Sequence, residues 1–354
     1  MQKSWTYETA WLSGFRYDSF FIFGVLGLAL FSGAIVLYDP ALFVPVLFLD
    51  LWFLGYHHVI ATFTKLGGTK EDREENKFLI YYLPFIVVAV VGGLAFGIGI
   101  WIISTIYFFW QWYHYTRQSY GISSFYHRKS SNAPSENKLL VQSVIWAIPV
   151  WGILHRCSQG WDEFLFHPIW LPAVPEYVAT TAGFLAMSLV FYWAILRLMD
   201  FKNGRLSLGS TYFMISHFIA FYVGYILMDD IVVGWLVANV WHNAQYILFV
   251  WLYNTKRFKN YDNDPEGISY LGWMSQTQPI RIFMYFLTCL VITTLIYSSM
   301  QKGLEFIAQG DKNFMLLLYI TCFQALNFHH YIVDSLIWKA RKKQTQTVMN
   351  LKQK

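Results

Sequence analysis

Charge is what this chain has least of. Only 13% of its 354 residues are Asp, Glu, Lys or Arg, about half the ~25% of an ordinary soluble chain. That excludes a water-facing surface of ordinary polarity. Cysteine is scarce as well. Cys157, Cys289 and Cys322 are scattered without CxxC spacing, which argues against both a disulfide framework and a thiolate metal site. There is no HExxH, no EF-hand loop, no P-loop and no GxSxG elbow, so the chemistries those motifs carry have no foothold. The first hydrophobic run lacks a small-residue cleavage site and is expected to stay as a helix. Without repeats, low-complexity stretches or a soluble segment, residues 1–354 are expected to form a single integral-membrane domain.

What is abundant is apolar and aromatic, at 56% and 20% of the chain. Ten hydrophobic runs stand near 19–38, 41–63, 78–95, 97–118, 138–155, 176–198, 210–228, 231–254, 280–299 and 313–337. Each approaches the ~20 residues that span a ~30 Å hydrocarbon core. Gly92, Gly93, Gly97 and Gly99 mark a break read as a hairpin between two spans, with one long kinked helix as the alternative. With the N-terminus inside, all 26 lysines and arginines except Arg156, Lys302 and Lys312 fall on the cytoplasmic side, as the positive-inside rule requires. The expectation is an all-α polytopic bundle of about ten transmembrane helices, both termini cytoplasmic, in a bacterial inner membrane. The net charge of +5 suits anionic membrane lipids, not nucleic acid.

Ten histidines then draw attention. His127 falls in an inside loop, and His155 and His167 on the outer side. The remaining seven are His57, His58, His114, His217, His242, His329 and His330, on five helices and in one broad layer of the cytoplasmic half. A single membrane histidine can simply bond to a neighbouring helix; seven at one depth point to a shared centre. Residues three or four apart share a helix face, and three such stripes stand out. They are Gln111, His114 and Gln118; Asn239, His242, Gln245 and Tyr246; and Gln324, Asn327, His330 and Asp334. On the second helix Asp50, His57 and Thr64 recur every two turns. Imidazole suits Fe, Zn, Cu and Ni, and histidines with a carboxylate and open positions are the pattern of non-haem iron oxygenases. All seven histidines are therefore candidate metal ligands, for one or two ions with iron favoured. Asp334 is a candidate ligand or orienting group, and Asp334, Gln118 and Gln245 are the candidate catalytic residues. The paired Asp229 and Asp230 are expected to form a solvated turn.

This cytoplasm-facing histidine layer, with "YHHVIAT" and "FHHYIVD" at its edges, resembles the membrane-bound fatty-acid desaturases and hydroxylases and the bacterial carotene-cleaving membrane dioxygenases. The HxxxH and HxxHH boxes of the desaturases are absent, and no residue role is carried over. The resemblance implies an integral-membrane oxidoreductase acting on a lipid-like or other hydrophobic substrate, with an electron donor as a partner. Two other readings stay open: a haem-binding electron-transfer protein with paired axial histidines, and a cation or proton transporter.

Overall fold

A computed structural model describes residues 7–130, 132–260 and 270–352; Lys3 and Lys354 lie outside them. The chain is all-α. In order, the long helices are α1 (Phe15–Tyr38), α2 (Pro40–Leu66), α3 (Phe78–Gly97), α4 (Ile100–Lys129), α5 (Lys138–Ser158), α6 (Glu176–Lys202), α7 (Leu208–Leu227), α8 (Ile231–Arg257), α9 (Pro279–Ala308) and α10 (Lys312–Ile337). Strand pairing among the described residues is confined to two-residue pieces, Tyr7–Glu8 beside Leu206–Ser207 and Glu163–Phe164 beside His167–Pro168.

Eight of these helices are long and apolar enough to cross a membrane, which fits a multi-pass membrane protein. The two that fall short on apolarity are α4 and α8, although at 30 and 27 residues they are long enough. The reason lies in where α8 sits. It is buried without a break from Val233 to Ile247, so other helices, not lipid, surround its Asn239, His242, Asn243 and Gln245. A helix enclosed on all sides can carry polar groups that a lipid-facing helix cannot.

The glycine-rich break is a hairpin. Gly99 has φ +125°, a conformation open to glycine and strained for other residues. On one arm, His329 of α10 lies against Leu79 and Phe314 lies against Phe96. On the other arm, Trp110 stacks on Phe328 and His114 on Tyr331. Hence α3 runs antiparallel to α10 and α4 parallel to it.

The segments expected on the cytoplasmic side gather at one end of the bundle. Lys65 Nζ reaches Gln344, Arg257 pairs with Asp72 at 2.6 Å, and Lys352 lies 3.4 Å from Glu8, so both described chain ends are at the same end. Glu136, between α4 and α5, is buried there with Arg197 and His127 against its two carboxylate oxygens. At the opposite end the buried Arg156 Nη2 donates to the carbonyls of Gly224 (3.0 Å) and Met228 (2.5 Å), closing the C-terminus of α7. Asp230 caps α8 by accepting from Val232 N and Val233 N, so that aspartate serves a helix start.

Among the described residues four π turns interrupt the helices. The one that matters for the centre is the π turn Leu51–Gly55 in α2. A π turn inserts an extra residue into the helical ladder and so shifts the phase of everything after it by about a quarter turn.

Candidate metal centre

Four helices converge at the level of the histidine layer, each supplying one imidazole: His58 from α2, His114 from α4, His242 from α8 and His330 from α10. Ring centroids stand 4.3 Å apart for His58–His330, 4.9 Å for His114–His242, and 5.1 Å for both His58–His242 and His114–His330. All four are buried, as is Asp334 one turn on from His330. Two sets bring three ligand atoms within 4.8 Å of one another, His58–His114–His242 and His114–His330–Asp334. Ligands ~2.1 Å from one ion lie at most about 4.2 Å apart, so either set needs only a few tenths of an ångström of closure. His114 belongs to both.

Hydrogen bonds fix which ring nitrogens face inward. The Gly55 carbonyl, 3.1 Å from His58 Nδ1, can only accept, so that nitrogen carries the proton and Nε2 bears the lone pair. Tyr246 OH donates to Asp334 Oδ1 at 2.6 Å and receives Trp338 Nε1–H at 2.9 Å. Because the Tyr246 proton goes to Asp334, the 2.8 Å contact between Tyr246 OH and the Thr62 hydroxyl needs the Thr62 proton, with the His58 carbonyl 3.3 Å away as a second acceptor. The Thr62 oxygen is left to accept from His330 Nδ1 at 2.9 Å, which leaves the lone pair of His330 on Nε2. These tautomers are assigned from the bonding network. The consequence is direct: two lone-pair nitrogens, His58 Nε2 and His330 Nε2, face each other 2.6 Å apart. Such a pair is repulsive unless a proton or a metal cation joins it.

The remaining inward atoms decide between those two. His242 has no hydrogen-bond partner on either ring nitrogen, and His114 has none on Nε2. Each such buried group costs roughly 1–3 kcal/mol. A proton satisfies the facing pair alone, whereas a cation satisfies the wider set. Asp334 Oδ2, 3.4 Å from His330 Nε2 and 3.9 Å from His114 Nε2, supplies compensating charge. The residues therefore fit a metal ion by donor type, tautomer and separation.

Aromatic rings hold the imidazole planes. Tyr115 stacks on His242 at 4.1 Å and Tyr331 on His114 at 4.2 Å. Tyr115 is itself held by a buried chain in which Gln111 donates to its hydroxyl, that hydroxyl to Asn239, and Asn239 to Asp50, with Asn243 on the second carboxylate oxygen.

Not every expected residue arrives. His57 faces Phe286 on α9, His217 Nε2 bonds to the Ile145 carbonyl at 2.8 Å, and His329 Nε2 bonds to the Leu79 carbonyl at 2.7 Å. These three stand apart from the convergent set. Gln118 donates to the His242 carbonyl at 3.0 Å. Gln245 is buried with both side-chain polar atoms unpartnered. Asn327 donates to Gln324 within α10 itself, one turn apart. In α2 the π turn explains the shift: Asp50 and His58, eight apart, face the Asn239–Asn243 stretch of α8 together, while Thr64 bonds away from the centre, to Asn254 near the end of α8 and to Tyr285 of α9. Sequence reasoning passed over Thr62, although its spacing of four from His58 was the available signal.

No protein-family model, no curated protein and no solved structure matches this chain.

Proposed function

We propose that the chain is an integral-membrane, metal-dependent oxidoreductase of the non-haem iron type, oxidising a lipid-like or other hydrophobic substrate in the half of the membrane next to its basic end. One observation carries the reading: the inward lone pairs of His58 and His330, beside the unpartnered nitrogens of His114 and His242 and the carboxylate of Asp334. His58, His114, His242, His330 and Asp334 would hold the ion. A histidine–carboxylate iron site with open positions supplies dioxygen activation.

The chain's own residues do the rest. The Gly55 carbonyl and Thr62 keep two ligands in the tautomer that presents Nε2. Tyr246 and Trp338 hold Asp334, and Tyr115 and Tyr331 lock ring planes. Partners of this kind orient ligands and tune basicity. An electron donor would dock at the basic, cytoplasmic end.

The same packing weighs against haem. With neighbouring rings closed to centroid separations of 4.3–5.1 Å, no porphyrin plane fits between the rings of any of these four pairs. Metal analysis and an optical spectrum of protein dialysed against chelator test the reading. Retained iron without a Soret band supports it. A Soret band supports the haem alternative, and an ion that exchanges freely supports transport.

A further inference from the structure

A cleft of about 780 Å3 opens between α4 and α10 and reaches the candidate centre. Its volume lies within the range of small-molecule sites, ~300–1,000 Å3. His114, Tyr246 and Asp334 line its inner wall. Trp110, Tyr113, Phe249 and Tyr331 make the apolar sides, and Tyr113, 45% exposed, marks where the cleft leaves the helix face. On α4 the lining runs from Trp110 to Arg128, about 27 Å at 1.5 Å per residue. That compares with about 20–22 Å for one leaflet including its headgroups.

The mouth is different in kind. Arg117, Arg128, Lys138, Lys339 and Arg341 all line it, and Asp334 is the one carboxylate among the lining residues. Several other cations at this end of the bundle are neutralised, Arg257 by Asp72, Arg197 by Glu136, Lys342 by Glu75 and Lys352 by Glu8, while Lys65, Arg73 and Lys256 donate singly to neutral oxygens. Among the described residues no carboxylate pairs with the five at the mouth. Arg117 lies over the Tyr120 ring and Arg128 donates to the Lys352 carbonyl, so the guanidinium groups are positioned and their charge is left unanswered. A positive-inside anchor needs only cations near the membrane surface; it does not need them grouped around the entrance of an apolar cleft. Arginine is suited to carboxylate and phosphate groups through its paired donors.

We propose that this cleft takes a single-chain amphiphile with an anionic head. The head, a carboxylate or phosphate, lies against Arg117 and Arg341. The chain runs past His114 and Asp334 toward Trp110 and Tyr113. This deepens the oxidoreductase reading by naming its substrate class, and it rests on that reading only for the chemistry done on the chain.

The test uses the full-length protein in nanodiscs of zwitterionic phosphatidylcholine. A palmitate probe with a photoreactive diazirine in its chain is cross-linked and the labelled peptides are mapped. The methyl ester of the probe serves as the neutral control. The acid should label the Trp110–Phe125 stretch and Tyr331–Ile332 at least tenfold more than the ester. The double variant Arg117→Gln/Arg341→Gln, at two exposed positions, should lose about tenfold of that labelling, and the Arg117→Lys/Arg341→Lys pair should keep most of it. Competition by unlabelled palmitate against lysophosphatidate then tells a carboxylate head from a phosphate head. Equal labelling by acid and ester, labelling elsewhere, or an unaffected glutamine variant overturns the proposal. Metal content is measured on the same samples. Head-dependent labelling of metal-free protein sustains the amphiphile site and refutes the metal reading. Metal-loaded protein without such labelling refutes the amphiphile alone.

Discussion

Tyr246→Phe isolates the part of the centre that touches no ligand nitrogen. The phenol oxygen serves Asp334, Thr62 and Trp338 at 2.6, 2.8 and 2.9 Å, and the ring itself packs beside His58 at 4.8 Å. Phenylalanine preserves the ring and deletes three interhelical bonds. Such bonds inside membranes average about 0.6 kcal/mol each, so the loss of stability should be about 2 kcal/mol and the fold should survive. The effect on metal should be the larger signal. Asp334 loses its only hydroxyl donor, and Thr62 loses one of its two proton acceptors, loosening His330. Losing a partner of this kind typically costs 10- to 100-fold in metal affinity, or about 1.4–2.8 kcal/mol. Competition against a chelator of known affinity reads that change directly, and thermal unfolding in detergent reads the stability. A variant with lowered melting temperature and unchanged metal affinity would show that Tyr246 merely packs, and the orienting chain from Trp338 to His330 would have to be abandoned.

Three further outcomes follow from the same geometry. Single replacement of His57, His217 or His329 by alanine should leave metal content unchanged, whereas His114→Ala should lower it; depletion by any of the first three would show that the ligand set is drawn wrongly. Glu136 titrates at about 2, because burial, which raises it, is outweighed by Arg197 and His127. Its folded value lies below its unfolded one, so its contribution is complete above about pH 4.5 and fades as pH falls toward 2. Glu136→Gln, which strands the Arg197 guanidinium, should cost about 3–5 kcal/mol near neutrality and flatten the acid limb of a stability profile; an unaltered profile contradicts it. Reporter fusions after residues 130 and 354 should both behave as cytoplasmic, and an external signal at either position refutes the orientation.

Much of this architecture was legible because hydrocarbon is a strict solvent. A run such as Leu83–Gly97 has few other places to go, and the stripes through His114, His242 and His330 kept their phase because α4, α8 and α10 are regular through those stretches. The second helix was misread for a physical reason. Counting from Asp50 with an α period selects His57 and Thr64, but the π turn Leu51–Gly55 rotates the helix so that His58 and Thr62 face the centre instead. Nothing in "DLWFLGYHH" announces that turn. His217 and His329 shared the depth of the others but not their direction. Depth follows from position along a span, whereas direction depends on which neighbours a helix meets. The polarity of α4 and α8, which weakens them as spans taken singly, became intelligible once α8 was found enclosed.

The facing nitrogens of His58 and His330 are the centre of the account, and elemental analysis of wild-type protein against His58→Ala/His330→Ala tests them most directly. The account predicts at least one equivalent of iron per chain in the wild type. It predicts less than about a tenth of that in a variant that still purifies as folded protein, because removing protein ligands removes most of the binding free energy. Equal metal in both proteins, or a wild type without metal whose two imidazoles share a proton, would contradict it.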